Sequence, residues 1–124
     1  MVVDSPRGVF VKKPDQVLKD ERIVDAGQET VSMIEDLVDH SKFILWNGPL
    51  GDYLKGFSDG TFGLIRAIAN SKAESIVGGG DTEHCISNLG LEENFDFIST
   101  GGGAMLEFTA TGSLAGIEAI ESKA

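Results

Sequence analysis

SIVGGGDT, residues 75–82, is the stretch of this sequence that decides the fold. A short apolar run with β-branched residues ends in three glycines, and an acidic residue and a helix-like segment follow them. The same order recurs at residues 97–104, FISTGGGA, and an upstream apolar run ends similarly at residues 43–51, FILWNGPLG. Each glycine-rich turn therefore joins a predicted strand to a predicted helix.

Three strand–turn–helix units in succession predict a parallel sheet with helix crossovers, because parallel strands need a long connection. We therefore expect an α/β, Rossmann-like fold. In such a sheet the three turns lie along the rim at the carboxyl ends of the strands, where open α/β folds bind ligands. The continuous apolar run at residues 42–46 suits a strand buried on both faces.

Hydrophobic spacing places the remaining elements along the chain. The predicted helices are at residues 28–40, 58–71, 82–89, 104–109 and 114–120. The other predicted strands are residues 75–77 and 96–99, two extended pieces around a turn at 5–8, and a possible strand at 22–24. In the first helix the expected buried residues are Val31, Ile34, Leu37 and Val38, which fall three or four positions apart.

Composition narrows the class of protein. The chain has 124 residues, enough for one domain with a real core, and we treat residues 1–124 as one unit. Its net charge is −10, which disfavours nucleic-acid binding through phosphate neutralisation. No apolar run approaches the length of a membrane span. The single cysteine, Cys85, suits a reducing compartment, so we expect a cytoplasmic protein.

The turn at residues 78–82 has two interpretations. Glycines before a helix leave backbone N–H groups accessible, and with the helix dipole they form an anion site. Asp81 could then hold Mg²⁺, and the Thr82 hydroxyl could meet a phosphate oxygen. Alternatively, Asp81 is an N-cap residue and the glycines form only a tight turn.

The other two turns extend the first interpretation. Residues 100–103, TGGG, repeat the anion-site pattern without an acid, and two such turns at one rim suit a phosphate chain. In the third turn, Pro49 and Leu50 could flank a flat ring, and Asn47 could bond a phosphate or a ribose. Neither G-x-G-x-x-G nor G-x-x-x-x-G-K-[ST] is present. The residues alone therefore indicate a phosphate or nucleotide binder.

Several motifs, in this order, resemble the nucleotide-binding domain of phosphoglycerate kinase. Residues 46–51 resemble its W-N-G-P-[LM]-G, residues 57–61 its F-x-x-G-T, residues 78–82 its G-G-G-D-[TS] and residues 99–107 its S-T-G-G-G-A-x-L-E. Residues 25–30 resemble its D-x-G-x-x-T, and residues 114–117 its L-P-G-[IV], with Ala115 in place of proline. Residues 23–120 are covered well, and residues 1–22 match loosely.

The resemblance implies Mg²⁺-dependent phosphoryl transfer between ATP and 3-phosphoglycerate. Carried over by motif, the nucleotide phosphates and the metal would be bound by Gly79, Gly80, Asp81 and Thr82, with Asp81 as the metal ligand. The nucleotide pocket would be lined by Asn47, Gly48 and Pro49. The transferring phosphoryl group would face the backbone N–H groups of Gly80, Gly102 and Gly103.

Two departures from the family pattern shape the prediction. The family usually has a glutamate, as a ribose contact, where this chain has Leu54, and Asp52 is a candidate substitute. The chain also corresponds to about the last third of a two-domain kinase. The Arg-rich domain that binds 3-phosphoglycerate and the phosphate-binding lysine would lie in the absent part. We therefore expect an incomplete sheet with an exposed strand edge and exposed apolar surface, and little or no kinase activity alone. The alternatives are a non-catalytic nucleotide- or phosphate-binding module and a purely structural or interaction fragment.

Overall fold

The computed structural model describes residues 1–122, which form two separate three-stranded sheets. Strands β1 (Val2–Ser5), β2 (Gly8–Val11) and β3 (Arg22–Asp25) make an antiparallel sheet in the order β2-β1-β3. Strands β4 (Phe43–Asn47), β5 (Glu74–Gly78) and β6 (Phe97–Ser99) make a parallel sheet in the order β4-β5-β6. The predicted parallel α/β arrangement is confirmed.

Five helices follow or connect these strands: α1 (Gln28–Asp39), α2 (Asp59–Asn70), α3 (Gly80–Leu89), α4 (Gly102–Thr111) and α5 (Ala115–Glu121). Helix α3 ends at Gly90, whose φ of 65° is the left-handed conformation that glycine adopts at a helix end. Within residues 1–122, no helix is long and apolar enough to cross a membrane.

Two predicted helix starts are wrong in a consistent way. Helix α3 begins at Gly80 rather than Thr82, and α4 begins at Gly102 rather than Ala104. The first N–H groups of a helix have no intrahelical acceptor, so glycine is tolerated there despite its low helix propensity. The N-cap of α3 is Gly79, and no side-chain capping bond is formed. Asp81 therefore lies inside the first turn, which excludes its interpretation as the N-cap.

The core packs α1, α2 and α3 against one face of the parallel sheet. Its buried side chains are Val38, Trp46, Leu64, Ile65, Ile68, Val77, Cys85, Ile86 and Phe95. Burying each large aliphatic side chain contributes about 1.5–3 kcal/mol. The core thus holds the carboxyl ends of β4 and β5 in a fixed position beneath the glycine turns.

Strand β4 differs from its prediction, because it is buried on one face only. Ile44 and Trp46 point into the core region, whereas Phe43 is 52% and Leu45 41% exposed. The strand pairs with β5 alone among residues 1–122, so it forms an open edge of the sheet. Leu37, predicted to be buried, is likewise 69% exposed on α1. The predicted exposure of a strand edge and of apolar surface is confirmed.

An ion-pair cluster centred on Glu21 lies beside the antiparallel sheet. Its carboxylate accepts hydrogen bonds from Lys12 Nζ at 2.7 Å, from the Leu18 amide at 2.9 Å and from Arg7 at 3.0 Å. The Leu18 bond and the lysine bond lower the pKa of Glu21 to about 2. This cluster ties the segment between β2 and β3 to the hairpin formed by β1 and β2.

Candidate functional site: a glycine-lined rim

The carboxyl ends of the three parallel strands lie level with one another. Asn47 is paired in register with Gly78, and Gly78 is paired with Ser99. The Gly79 amide then donates to the Ser99 carbonyl at 2.9 Å, which joins the turn after β5 to the end of β6. The three turns therefore meet at one rim, as the parallel pattern predicted.

The Asn47 side chain lies between the other two turns. A Cβ atom built on Gly102 would overlap the Asn47 amide oxygen and lie 2.6 Å from the Gly79 nitrogen. A Cβ on Gly79, whose φ is +101°, would lie 2.8 Å from the same amide oxygen. A side chain at Gly102 would force the turns apart because it meets the Gly79 backbone, whereas at Gly79 the left-handed φ would strain any other residue. Glycine at both positions is therefore required for the turns to pack closely.

Three other glycines of the rim face open space. A Cβ atom on Gly48, Gly80 or Gly103 would meet no atom within 4 Å. Gly48 and Gly80 follow β4 and β5, and Gly103 lies in the first turn of α4. The rim thus has a packed interior and an open surface made of backbone. An accessible backbone at two helix N-termini is an arrangement that favours an anionic ligand.

Thr82 connects two of the turns. Its side chain is fully buried, and its hydroxyl accepts a hydrogen bond from the Gly48 amide at 3.0 Å. This bond holds the turn after β4 against the first turn of α3. Pro49 follows Gly48 in the turn after β4 and is partly exposed. The predicted phosphate contact of Thr82 stays a prediction.

Asp81 is exposed, and its carboxylate is held by a residue that the sequence analysis did not identify. The Tyr53 hydroxyl donates to Asp81 Oδ1 at 2.8 Å, and this bond is the main reason that the pKa of Tyr53 is raised. Tyr53 lies in the short helical turn Tyr53–Lys55 of the loop after β4, and its ring centroid is 6.1 Å from that of His84. The sequence carries no periodic signal for this contact, because Tyr53 lies in the loop after β4 and Asp81 in the first turn of α3.

A second group of motif residues lies behind the rim and holds its loops. The buried Asp25 carboxylate accepts from the Ala26 amide at 2.8 Å and from the Gly60 amide at 3.0 Å. The buried Thr61 hydroxyl accepts from the Leu50 amide at 3.0 Å and the Gly51 amide at 3.3 Å. The Thr61 bonds satisfy two partly buried amides of the loop between β4 and α2, and the Asp25 bond to Gly60 holds the first turn of α2. They fix the course of the chain just after Asn47.

Leu54 stands at the position of the expected ribose-binding glutamate, and the nearby Asp52 is already paired with cations. Leu54 is 81% exposed. Asp52 Oδ2 is engaged with Arg22 at 3.1 Å and with Lys55 at 3.4 Å. Asp52 therefore has cationic partners of its own within the protein, and a ribose contact would compete with them.

The donor set at the rim fits a cation that arrives with a phosphate ligand. Among residues 1–122 no group of three His, Cys, Asp or Glu side chains could hold a metal ion alone. Mg²⁺ is commonly bound by one or two carboxylates together with substrate phosphates and water. The exposed Asp81 carboxylate beside open glycine backbone satisfies that requirement, whereas a permanently bound structural metal would lack ligands.

Together these features define a class of protein: an open parallel α/β fold with a glycine-lined rim at the carboxyl ends of its strands, where such folds bind ligands. The family model for phosphoglycerate kinase matches residues 2–111. This chain belongs to the phosphoglycerate kinase family.

Individual relatives agree with the family assignment. The chain is 42% identical over 113 residues to the phosphoglycerate kinase of Buchnera aphidicola subsp. Acyrthosiphon pisum (strain Tuc7) and 43% identical over 116 residues to that of Francisella tularensis subsp. tularensis (strain WY96-3418). These matches cover 90% and 93% of this chain. The structure of the Coxiella burnetii enzyme superposes with a TM-score of 0.77 at 39% identity, over 86% of this chain. That from Pyrococcus horikoshii OT3 gives a TM-score of 0.74 at 32% identity, over 88% of this chain.

The chain corresponds to a minor part of these relatives. It spans 29% of the Buchnera protein and 30% of the Francisella protein. It also covers 29% of the Coxiella chain and 28% of the Pyrococcus chain. Similarity to the relatives thus concerns the rim and its supporting sheet, while most of each relative has no counterpart in these residues.

Proposed function

We propose that this chain supplies the nucleotide-phosphate side of a phosphoglycerate kinase active site, as the C-terminal portion of the nucleotide-binding domain. The reaction is Mg²⁺-dependent phosphoryl transfer between ATP or ADP and 3-phosphoglycerate or 1,3-bisphosphoglycerate. The observation that carries the proposal is the meeting of three glycine turns at Asn47, with Gly80 and Gly103 left open beside it. Family membership supports nucleotide phosphates as the ligand of this rim.

We assign each site residue a role according to its turn. Gly79, Gly80, Asp81 and Thr82 form the turn that binds the nucleotide phosphates, with Thr82 holding the turn from its buried position, and Asp81 is the residue that holds Mg²⁺. Asn47, Gly48 and Pro49 line the nucleotide pocket. When bound, the metal neutralises charge that develops on the phosphates. The backbone N–H groups of Gly80, Gly102 and Gly103 act on the transferring phosphoryl group, because preorganised donors stabilise that charge without reorganisation.

This chemistry requires positioning more than proton transfer. The group of 3-phosphoglycerate that accepts the phosphoryl group is a carboxylate. It is already deprotonated, so no general base is needed from the chain. Phosphoryl transfer is catalysed mainly by alignment and electrostatic stabilisation. A rim made largely of backbone is therefore a chemically sufficient contribution from this side of the site.

The acceptor side requires residues that this chain does not contain. The chain's net charge is −10, and the rim offers no cluster of Arg and Lys for a phosphorylated acid. We propose that 3-phosphoglycerate binds only through an N-terminal domain, and that the chain alone has little or no kinase activity. The single buried Cys85 supports a reducing, cytoplasmic compartment.

Calorimetric titration of ADP, with and without Mg²⁺, tests the nucleotide site. We expect the 124-residue chain to bind Mg²⁺-ADP and the Asp81→Ala variant to lose the metal-dependent part of that affinity. Asp59→Ala is the matched control, because Asp59 is also an exposed acid in the first turn of a helix, α2. Equal loss in both variants, or metal-independent binding by the wild type, would contradict the assignment of Asp81.

Leu54 favours a second candidate, a nucleotide- or phosphate-binding module that has lost transfer. Its exposed side chain stands where the family resemblance expects a ribose-binding glutamate. If only the ribose contact is missing, Leu54→Glu should raise ADP affinity, whereas inorganic phosphate binding should not change. Turnover of ATP and 3-phosphoglycerate by the chain alone at roughly 1–100 s⁻¹, the usual kinase range, would refute both the second candidate and the expected inactivity.

A further inference from the structure

The bond between Tyr53 and Asp81 joins two loops that are distant in sequence. The residues are 28 positions apart, and their side chains meet through the phenol and Oδ1 at 2.8 Å. Tyr53 belongs to the loop between β4 and α2, while Asp81 belongs to the first turn of α3. The contact therefore crosses the rim from the turn after β4 to the turn after β5.

The donor in this bond is well anchored. The Tyr53 amide donates to the Gly51 carbonyl at 2.9 Å, and the Tyr53 carbonyl accepts from the Gly56 amide at 3.0 Å. Gly51 is packed so tightly that a Cβ there would lie 2.5 Å from Asp25 Oδ1. The phenol ring also lies beside His84 at an interplanar angle of 47°. The hydroxyl is consequently presented by a constrained loop.

The acceptor, by contrast, would be mobile without this bond. Asp81 is exposed, and within residues 1–122 its carboxylate has the phenol as its hydrogen-bond partner through Oδ1, with no cation within ion-pairing distance. Oδ2 is left free of partners in the same residues. A phenol is a neutral donor, so it orders the carboxylate without cancelling the negative charge that a metal ion requires.

We propose that Tyr53 is a positioning residue for the metal-bearing nucleotide. It fixes the Asp81 carboxylate through Oδ1 and keeps Oδ2 as the oxygen available to the cation. This inference rests on the proposed role of Asp81, and it adds a residue that no motif of the chain marks. The predicted consequence is specific: Tyr53 affects the affinity for Mg²⁺-ADP and does not affect the affinity for ADP without metal.

Tyr53→Phe removes the hydroxyl and keeps the ring. We expect Mg²⁺-ADP affinity to fall about three- to tenfold, which corresponds to the cost of ordering one side chain upon binding. Metal-free ADP affinity should stay unchanged, because the glycine backbone that receives the phosphates does not contact the phenol. In an Asp81→Ala background, Tyr53→Phe should not lower the Mg²⁺-ADP affinity further, because Tyr53 acts through the Asp81 carboxylate, which is then absent.

The experiment measures four variants of the whole chain by calorimetry: wild type, Tyr53→Phe, Asp81→Ala and the double variant. Each is titrated with ADP and with Mg²⁺-ADP. Tyr53 is the only tyrosine in the sequence, so its near-ultraviolet signal reports the bond in the ligand-free chain. Asp81→Ala should shift that signal. His84→Ala removes the neighbouring ring and leaves the hydroxyl, so it measures separately how much the ring contact contributes to holding the phenol.

The outcomes separate this inference from the proposed function. A loss confined to metal-containing titrations, with no additivity in the double variant, supports the role of Tyr53. Unchanged or tighter Mg²⁺-ADP binding by Tyr53→Phe overturns it while leaving nucleotide binding intact. If the wild type binds no nucleotide with or without metal, the proposed function fails and the positioning role fails with it, whereas unchanged binding by Tyr53→Phe overturns the positioning role alone. An unshifted tyrosine spectrum in Asp81→Ala also refutes it.

Discussion

Two neighbouring glycines of α4 should respond in opposite ways to the same substitution. At Gly102 an added methyl group would overlap the Asn47 amide oxygen and lie 2.6 Å from the Gly79 nitrogen. At Gly103 it would meet no atom within 4 Å. Gly102→Ala and Gly103→Ala therefore compare packed and open positions within one helical turn, with identical chemistry and nearly identical helix propensity effects.

The magnitudes follow from this difference in surroundings. The Gly102 methyl group meets backbone atoms, which cannot move aside as the end of a flexible side chain can. Forcing one extra carbon into such a site costs about 1–3 kcal/mol of the free energy of unfolding. For Gly103 the only expected change is the replacement of glycine by alanine in a helix, which favours folding by up to about 1 kcal/mol.

Urea unfolding measures both effects. Helix content is followed by circular dichroism, and the fluorescence of Trp46, the only tryptophan, reports the core below Asn47. Titration of the same variants with Mg²⁺-ATP, and with Mg²⁺-ADP for comparison, supplies the second half of the test. Gly103→Ala should remain folded and lose affinity for ATP more than for ADP, because its methyl group projects into the space proposed for the transferring phosphoryl group.

The result that would refute this reasoning is equally specific. If Gly102→Ala is as stable as the wild type, the turns after β4, β5 and β6 do not pack as described. If Gly103→Ala destabilises the chain by as much as Gly102→Ala, then Gly103 is not open. If it remains stable and binds ATP with unchanged affinity, Gly103 does not face the transferring phosphoryl group.

Three further predictions concern the structure that supports the rim. Thr61→Val leaves the partly buried Leu50 and Gly51 amides without their acceptor, so unfolding measurements should find a loss of about 1–3 kcal/mol in total, whereas Thr61→Ser should retain most of the stability. The pKa of Glu21 in the folded chain is about 2, below its ordinary value of 4.5, so it contributes stability that is present above the ordinary value and is lost as the pH falls toward 2; Glu21→Gln should flatten this acid limb in unfolding experiments, and an unchanged limb would exclude the cluster as its cause. Burial raises the pKa of the Cys85 thiol, so alkylation at neutral pH should be slow in the native chain and fast in urea, and rapid native labelling would contradict its buried position.

The sequence allowed the main architecture to be predicted because its signals are local and strong. Hydrophobic spacing identified α1, and Val31 and Val38 are buried as expected. The apolar runs ending in glycine identified the parallel strands. The predictions were wrong where burial depends on neighbours: β4 has an apolar sequence, yet Phe43 is exposed because no described element covers that face. Periodicity cannot distinguish a covered apolar face from an uncovered one.

The candidate site was predictable only in part, for a related reason. Glycine turns placed at the same rim by a parallel sheet must lie near one another, so the meeting of Asn47, Gly79 and Gly102 follows from topology. The bond from Tyr53 to Asp81 does not, because it depends on the path of a loop within a few ångströms. Loop paths are set by buried hydrogen bonds such as those of Thr61, and those bonds leave no periodic pattern in the sequence.

Some residues of the family motifs line the rim, and others hold the loop between β4 and α2. A Cβ on Gly51 or on Gly60 would lie 2.5 Å from the buried Asp25 carboxylate. Three motifs of the sequence therefore meet at a single acid that holds the loop between β4 and α2. None of these residues needs to touch a nucleotide to matter for its binding, because the loop they hold carries Tyr53. A motif residue can thus act on the site through the position of a loop, and agreement with a family pattern does not by itself identify a ligand contact.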